Sequence, residues 1–329
     1  MNGHQRTGEF ERIARYFAPL AAGHSGAFGL EDDAAVLRPG PGNEFVVTTD
    51  TLVAGVHYIG DEAPGSIARK LLRVNLSDLA AMGARPVAYT LNVALPHDIG
   101  DDWLAAFAGG LAADQKTYGI TLVGGDSVAT PGPATLTVAA YGEVAEGGAL
   151  RRSGAGPGDA VYVSGTIGDG ALGLKALRGE LSGVDTAGIE ALVERYRVPE
   201  PRIELGLRLQ GIAHAAIDVS DGLIADLGHV AAASSVAVAI ESAKVPLAPA
   251  TAAALEADPG LLQLVLAGGD DYELVFTAAA DAADEIAALS ADLDLALTAI
   301  GRVEEGEGVR ALDGTGGEIA LEFTGWEHG

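Results

Sequence analysis

The chain contains no cysteine among its 329 residues. A disulfide framework, a thiolate metal site and a cysteine nucleophile are therefore all excluded. Any demanding chemistry must depend on oxygen and nitrogen atoms.

Long apolar stretches are also missing. No run reaches the roughly 18 consecutive apolar residues of a membrane-spanning helix. The N-terminal sequence MNGHQRTGEFERIARYF carries charges where a signal peptide has its apolar segment. The sequence therefore predicts a cytoplasmic protein without a membrane partner.

Basic residues are scarce relative to acidic ones. The sequence has 20 Lys and Arg against 46 Asp and Glu, which gives a formal net charge of −26. Such a chain lacks the positive field that attracts a nucleic-acid backbone, so no nucleic-acid partner is expected. Much of this acidity is typical of a solvated surface, so the positions of the acids are more informative than their number.

The length of the chain and a Gly-rich segment near its middle indicate two domains. A chain of 329 residues exceeds an average domain, and the Gly-rich stretch GGALRRSGAGPG separates two halves of similar length. We therefore expect domains over residues 1–149 and 150–329. Both halves mix β-type apolar runs with helical patterns, which predicts a mixed α/β fold.

The apolar patterns predict individual elements. In the first half we expect strands at 45–52, 88–95, 120–123 and 134–144, and helices at 9–17, 66–82 and 101–118. In the second half we expect strands at 160–164, 213–219, 236–240, 272–277 and 296–303. Helices are expected there at 170–177, 189–196, 202–210, 221–233 and 281–291, with an Ala-rich helix near 251–257.

Aspartates at the edges of apolar segments are the most informative feature. Six segments place one or two Asp beside Gly, Ser or Thr: GLEDDAAV, VVTTDTLV, VNLSDLAAMGA, VGGDSV, IDVSDGL and LAGGDDYEL. A carboxylate embedded in such a run costs several kcal/mol unless it is paired or binds a metal. Few Lys or Arg lie nearby in the sequence.

Periodicity directs some of these acids inward. Strand alternation places Thr48 and Asp50 on one face, and Asp78 continues the helical apolar stripe of Leu71 and Val74. If several acids converge, two carboxylates about 5 Å apart repel by roughly 3 kcal/mol at an effective dielectric near 20, so cations are needed. Oxygen ligands without His or Cys favour Mg²⁺ over zinc.

Magnesium beside glycine-rich turns is typical of a nucleotide-phosphate site and indicates phosphoryl transfer. Taken singly, each Asp is also consistent with a turn or a cap, and Asp218 or Asp221 is placed to cap the following helix. Two interpretations remain for each of His57, Arg151 and Arg152. Each side chain either lies on the solvated surface or contacts a substrate or a phosphate.

Two other nucleotide motifs compete with this interpretation. A Walker A loop is absent, because Lys116, the only Lys followed by Ser or Thr, lacks the preceding glycine. Gly168, Gly170 and Gly173 form GxGxxG between a predicted strand and a predicted helix, as in dinucleotide-binding proteins. Asp169 would place a charge against the pyrophosphate, so an NAD-dependent oxidoreductase stays a minor alternative.

In combination, TTDTLVAGVH, VNLSDLAAMGA and IDVSDGL are specific. From Gly8 to Trp326 the chain resembles the thiamine-monophosphate kinase family, within the superfamily that includes aminoimidazole ribonucleotide synthetase. The resemblance implies a homodimer whose N-terminal sheets form an intersubunit barrel, with a C-terminal domain of mixed sheet and helices. The N-terminal domain would bind Mg²⁺ and ATP and dimerise, and the C-terminal domain would complete the ATP and substrate site.

The resemblance also implies an activity, which is Mg²⁺-dependent, direct in-line transfer of the ATP γ-phosphoryl to thiamine monophosphate, giving thiamine diphosphate and ADP. Several Mg²⁺ ions would be bound by Asp33, Thr48, Thr49, Asp50, Asp78, Asp126, Asp218 and Asp221. ATP would contact Tyr118, Gly125, Asp126, Arg152 and Ser220. The thiamine moiety would contact His57, Asp270 and Trp326.

No covalent nucleophile is assigned. No general base is assigned either, because a phosphate monoester has a second pKa of about 6 and is mostly dianionic at neutral pH. Glu31 stands where the family has Gly, which puts a Cβ into a turn that the family keeps open. Asp270 stands where Glu is frequent, and Ser127 where Thr is usual. Two further alternatives are another ATP-dependent synthetase of the superfamily and a non-catalytic Mg²⁺–nucleotide sensor.

Overall fold

The structure is a computed structural model that describes residues 9–321 together with Phe323 and Gly325. It divides into two compact units. The described residues up to Leu79 form the first unit together with Arg85–Gly147, and Ala80–Ala84 form the second with the residues from Gly148 onward. Each unit has its own sheet and its own helices, which confirms the mixed α/β class.

The first unit contains a four-stranded sheet. Its strands are β1 (Asn43–Val53), β2 (Arg85–Pro96), β3 (Thr121–Thr130) and β4 (Thr135–Ala145), in the order β1-β4-β2-β3. β4 pairs antiparallel with β1 and β2, whereas β2 and β3 are parallel and therefore need a crossover. The helices are α1 (Glu9–Arg12), which continues into a π-helical stretch at Ile13–Phe17, α2 (Pro64–Ala81) and α3 (Asp101–Tyr118).

The predicted helical stripe of α2 is confirmed. Ile67, Leu71 and Val74 are each no more than 4 % exposed. Asp78, one turn further along, is half-buried. The other faces of α2 are also covered, since its buried residues include Lys70, Arg73, Asn75 and Ser77. The apolar stripe therefore identified one buried face of a helix that is buried almost all round.

Strand β3 differs from its prediction. The sequence indicated a strand over 120–123 followed by a turn at Gly124 and Gly125, but β3 continues to Thr130. Gly125 has φ +150, and a Cβ there would lie 1.8 Å from the Leu91 carbonyl oxygen on the paired strand β2. Only glycine permits this close approach, so the GGD segment carries Asp126 on a strand.

The second unit contains a six-stranded sheet. Its strands are β5 (Ala160–Ser164), β6 (Ala213–Asp218), β7 (Ala237–Glu241), β8 (Leu274–Ala278), β9 (Leu297–Glu304) and β10 (Gly308–Leu312). The order is β10-β7-β9-β5-β8-β6, in which β10 and β7 are parallel and the other pairs antiparallel.

Seven helices accompany this sheet. They are α4 (Asp169–Leu177), α5 (Thr186–Arg197), α6 (Ile203–Arg208), α7 (Leu223–Ser234), α8 (Pro249–Ala257), α9 (Leu262–Ala267) and α10 (Ala283–Leu293). The buried core of this unit includes Val161, Ile217, Leu227 and Val275, which come from three strands and α7. Within the described ranges, no helix combines the length and hydrophobicity that a membrane crossing requires.

Some predicted elements of the second half need correction. The predicted strand at 272–277 begins only at Leu274, because Tyr272 has φ +51 and lies outside the extended region. Strand β10 and helix α9 were not predicted at all.

Candidate active site

Three acids and a glycine-rich strand meet in one cavity of the first unit. This cavity of about 120 Å³ is lined by Asp32, Asp33, Gly125 and Asp126, with apolar side chains that include Phe17. The three aspartates are exposed. Among the described residues that line the cavity, none is Lys or Arg. The three carboxylates supply oxygen donors to one cavity, which is the type of ligand that Mg²⁺ prefers.

The turn that presents Asp32 and Asp33 accommodates Glu31 without backbone strain. Glu31 has φ −101, a value that any residue adopts, and its side chain is exposed. The left-handed positions lie earlier, at Phe28, Gly29 and Leu30. A Cβ at position 31 is therefore compatible with this turn.

Asp126 lies on β3 at the edge of the sheet. The Ser127 backbone N–H donates to Asp126 Oδ1 at 2.8 Å, which restrains the carboxylate. Because β3 is the last strand of its sheet, this carboxylate is accessible to a ligand. The structure therefore brings Asp33, Asp126 and Gly125 together, as expected for parts of one site.

Strand β1 and helix α2 contribute a second group of predicted ligands. The Thr48 hydroxyl donates to Asp78 Oδ2. Thr48 and Asp50 are half-buried, whereas Thr49 is exposed, which confirms the predicted alternation. The Thr49 hydroxyl donates to the Val138 carbonyl at 2.9 Å, and its oxygen lone pairs stay available to a cation.

His57 lies in the loop that follows β1. The Val53 backbone N–H donates to His57 Nδ1 at 3.1 Å, so the neutral ring carries its proton on Nε2. The buried Glu62 carboxylate accepts from the backbone N–H groups of Ile59 and Gly60 at 2.9 and 2.7 Å. These hydrogen bonds hold the loop that carries His57.

Tyr118 ends α3 and packs against a buried ion pair. The Arg73 guanidinium carbon lies 5.3 Å from the centre of the Tyr118 ring, within the range of a cation–π contact. Arg73 in turn donates to both oxygens of Asp114, at 2.7 and 3.0 Å, and Asp114 is only 1 % exposed. The bidentate pair therefore fixes one face of the tyrosine ring.

In the second unit, Asp218 and Asp221 border a turn between β6 and α7. Neither caps α7, because its N-cap is Gly222 and no side chain caps it there. Asp226 instead accepts the backbone N–H groups of Ser220, Asp221 and Gly222 on its Oδ2, at 3.0, 3.1 and 3.1 Å. Burial raises the pKa of Asp226 to about 7, and the neighbouring Asp221 charge raises it further. The three backbone hydrogen bonds lower this pKa but do not cancel the effect of burial.

The loop over residues 268–273 packs on the same turn. The Asp270 N–H donates to the Ser220 carbonyl at 2.9 Å, and the Tyr272 N–H donates to the Val219 carbonyl at 2.8 Å. Asp270 has φ +71 and Tyr272 φ +51, left-handed values that cost non-glycine residues about 1–3 kcal/mol each. Such strain is common at functional sites, and here it places Asp270 beside Ser220.

The GxGxxG motif has a structural role. Asp271 accepts the backbone N–H groups of Gly168 and Gly170 on its two oxygens, at 2.8 and 3.0 Å. A Cβ at Gly170 would lie 2.3 Å from the Asp270 carbonyl oxygen. The donors that would bind a pyrophosphate are therefore already used, which argues against the oxidoreductase. Burial raises the pKa of Asp271 to about 8, although these two donors lower it.

A buried carboxylate supports this loop. Glu273 is fully buried and accepts hydrogen bonds from Arg195 and Arg202, and from the Ser164 hydroxyl at 2.6 Å. Arg195 also donates to the Asp271 carbonyl at 3.1 Å.

The remaining predicted contacts are less defined. The Arg152 side chain is exposed, and its carbonyl accepts from the Ser234 hydroxyl. Trp326 lies outside the described residues. Gly325 lies so close to α7 that a Cβ on it would be 2.3 Å from the Ala225 Cβ and 3.0 Å from the Asp221 carbonyl oxygen.

Sequence reasoning did not predict that Glu62, Asp226 and Asp271 accept backbone N–H groups, although Asp271 lies in the selected segment LAGGDDYEL. Neighbouring residues were predicted instead as contacts of a ligand, namely His57, Asp221 and Asp270. The available signal was spacing, since Glu62 and Asp226 follow the N–H groups that they accept by two to six residues. No local signal relates Asp271 to Gly168, about a hundred residues earlier, as the separation of 103 shows.

Comparisons with known proteins agree with these observations. Residues 31–144 match the family model of the AIR synthase related protein, N-terminal domain, and residues 156–314 match that of the C-terminal domain. A thiamine-monophosphate kinase of Caulobacter vibrioides is 43% identical over 325 residues, covering 98% of this chain and 91% of the relative.

Solved structures show the same likeness. Thiamine-monophosphate kinase from Stenotrophomonas maltophilia K279a has a TM-score of 0.79 and 46% identity, over 86% of this chain and 89% of the other. AaThiL complexed with AMPPCP and TMP has a TM-score of 0.78 and 32% identity, over 92% of this chain and 97% of the other.

Proposed function

This chain belongs to the thiamine-monophosphate kinase family, and we propose that it binds Mg²⁺ with ATP at its acidic cavity while transferring the γ-phosphoryl in line to thiamine monophosphate. The chain is accordingly an ATP-dependent kinase, and its products are thiamine diphosphate and ADP. The observation that carries the metal proposal is the convergence of Asp33 and Asp126 on one cavity, whose described lining includes no Lys or Arg.

The metal ligands proposed in the first unit are Asp33, Thr48, Thr49, Asp50, Asp78 and Asp126. For the second unit the family resemblance gives Asp218 and Asp221. When bound, Mg²⁺ neutralises phosphate charge that develops during transfer. The Thr48 hydroxyl orients the Asp78 carboxylate, and the Ser127 N–H restrains Asp126, so part of the ligand set is held before any ion arrives.

Each proposed ATP contact uses a specific side-chain or backbone group. The Ser220 backbone N–H donates to Asp226, so Ser220 contacts ATP through its hydroxyl. The exposed Arg152 guanidinium binds a phosphate oxygen, and Tyr118 contacts ATP through its aromatic ring. Gly125 contacts ATP through its backbone, since the position of a Cβ there is taken by the Leu91 carbonyl of β2.

The substrate contacts are His57, Asp270 and Trp326. His57 donates from Nε2, since its Nδ1 accepts the Val53 N–H. Asp270 attracts the cationic thiamine moiety. The acceptor phosphate is already ionised near neutral pH, so the residues of the chain position the two phosphates and no general base is required.

A homodimer built on the first unit completes the proposal. β1 and β3 are the outer strands of their sheet, and each exposes an apolar side chain, with Val47 57% and Val128 51% exposed. Outer strands of this length are suited to pairing with a second copy.

A coupled assay for ADP release tests the function. Purified protein, ATP and Mg²⁺ are incubated with and without thiamine monophosphate, and thiamine diphosphate is measured. Strict dependence on thiamine monophosphate supports the proposal. ADP release without it indicates a synthetase with another substrate, and ATP binding without turnover indicates a sensor.

A further inference from the structure

Asp226 makes an unusual set of contacts for a helix residue. It lies in the first turn of α7, is 2 % exposed, and accepts three consecutive backbone N–H groups on one oxygen. All three donors precede Leu223, the first residue of the helix, and Gly222 is its N-cap. An ordinary cap satisfies one donor at the helix end, so this carboxylate shapes the turn as well as the helix.

Other backbone groups of the turn are hydrogen-bonded as well. The Val219 N–H donates to the Glu273 carbonyl at 2.8 Å, and the Gly222 carbonyl accepts from the Asp226 N–H at 3.0 Å. The Val219 and Ser220 carbonyls accept from the loop over 268–273, as described above. Asp226 is therefore the sole acceptor, among the contacts of the described residues, for the three N–H groups of 220–222.

Close packing removes alternative paths for this turn. Gly222 has φ +122, and a Cβ on it would lie 2.6 Å from the Ala267 carbonyl carbon. The backbone is thus enclosed on one side by α9 and bonded on the other by Asp226. With its backbone N–H donors used, the turn offers a ligand the side chains of Ser220 and Asp221.

We propose that Asp226 is a positioning residue, which holds the 220–222 turn so that Asp221 and Ser220 bind the metal–nucleotide complex. The inference rests on the proposed function, because it takes Asp221 as a metal ligand and Ser220 as an ATP contact. Groups that orient metal ligands from behind typically change metal affinity by about 10–100-fold when they are removed.

Three substitutions separate positioning from charge. Asp226→Asn keeps an acceptor oxygen at the same distance from the main chain, whereas Asp226→Glu keeps the charge but moves it by one methylene. Asp226→Ala removes both. If Asp226 positions the turn, the dissociation constant of AMPPCP with Mg²⁺ rises about tenfold or more in the Glu and Ala variants and stays within about threefold in the Asn variant.

Isothermal titration calorimetry measures these constants, and circular dichroism confirms that each variant is folded. Asp185→Ala is the matched control, because Asp185 accepts one backbone N–H, from Gly188, at an exposed helix N-terminus of the same unit. Its affinity should equal that of the wild type.

The reverse order, with tight binding by the Glu variant and weak binding by the Asn variant, overturns the proposal in favour of a charge effect. Equal constants in all variants also overturn it. If the Ala variant does not fold, the comparison of Asn with Glu still decides. A wild type that binds AMPPCP but does not phosphorylate thiamine monophosphate refutes the proposed function, while the affinities still test Asp226.

Discussion

The Thr48 hydroxyl donates a hydrogen bond to the Asp78 carboxylate and so joins strand β1 to helix α2. The two residues stand 30 positions apart in the chain. Each was selected from the sequence for a different reason, Thr48 for its strand face and Asp78 for its helical stripe. Their contact shows that the two patterns meet at one place in the first unit.

Removing this hydroxyl should weaken the metal site. We expect Thr48→Val, which keeps the shape of the side chain, to raise the Mg²⁺ concentration for half-maximal ADP release about tenfold. Thr48→Ser retains the donor and should stay within about threefold. Thr51→Val is the matched control, since Thr51 is exposed on the same strand and pairs with the Thr137 hydroxyl. An equal change in Thr51→Val would refute the role of Thr48.

Asp126 should be essential for turnover and dispensable for folding. Its side chain is exposed, so Asp126→Asn should leave the melting temperature unchanged while ADP release falls about a hundredfold. Asp50→Asn should lose turnover similarly. Asp102→Asn, on an exposed acid of α3, provides the control. A variant at Asp126 with near-normal turnover would remove this residue from the site.

Glu62 should affect the substrate more than the nucleotide. Glu62→Gln loses one of two acceptors for the Ile59 and Gly60 N–H groups, which loosens the loop that carries His57. Losing about 1 kcal/mol of hydrogen bonding should raise the KM for thiamine monophosphate roughly fivefold, with the KM for ATP little changed. The control is Glu44→Gln, because exposed Glu44 also accepts a backbone N–H, from Gly147. Equal increases in both KM values would contradict a specific effect on the substrate loop.

Glu273 should matter chiefly for stability. Glu273→Gln removes the charge that partners Arg195 and Arg202, and breaking such a buried pair costs about 3 kcal/mol in the free energy of unfolding. Urea denaturation followed by circular dichroism measures the change. Asp292→Asn, at the exposed pair with Arg208, should change it by less than about 1 kcal/mol. Equal effects of the two substitutions would show that burial of Glu273 contributes little.

Periodic patterns predicted most of the fold. The long helices α2 and α3 and the strands β1, β2 and β4 lie within a few residues of their expected ranges. Strand β10 was missed because GVRAL is short, polar at its centre and depends on pairing with β7 some 70 residues earlier, as Gly308 opposite Ala237 shows. Helix α9 has only six residues, too few for a helical period to be visible.

The site was predicted as far as local signals reach. Acidic segments near turn residues drew attention to Asp33 and Asp126, and the structure places both at one cavity. The same signal did not distinguish an exposed aspartate from a structural acceptor, because Asp126 ends one GGD sequence and Asp271 directly follows another. Only the fold shows that Asp271 is buried against Gly168 and Gly170, whereas Asp126 is exposed.

The left-handed backbone at Asp270 and Tyr272 has an evolutionary consequence. Glycine would adopt both conformations without the steric cost, so each position gives up stability for the side chain that it carries. A library screened for heat resistance alone should drift to glycine at these two positions. Under selection for enzymatic turnover, both positions should keep a residue with a side chain. The residue type at these two positions therefore indicates whether selection acts on turnover or on stability alone.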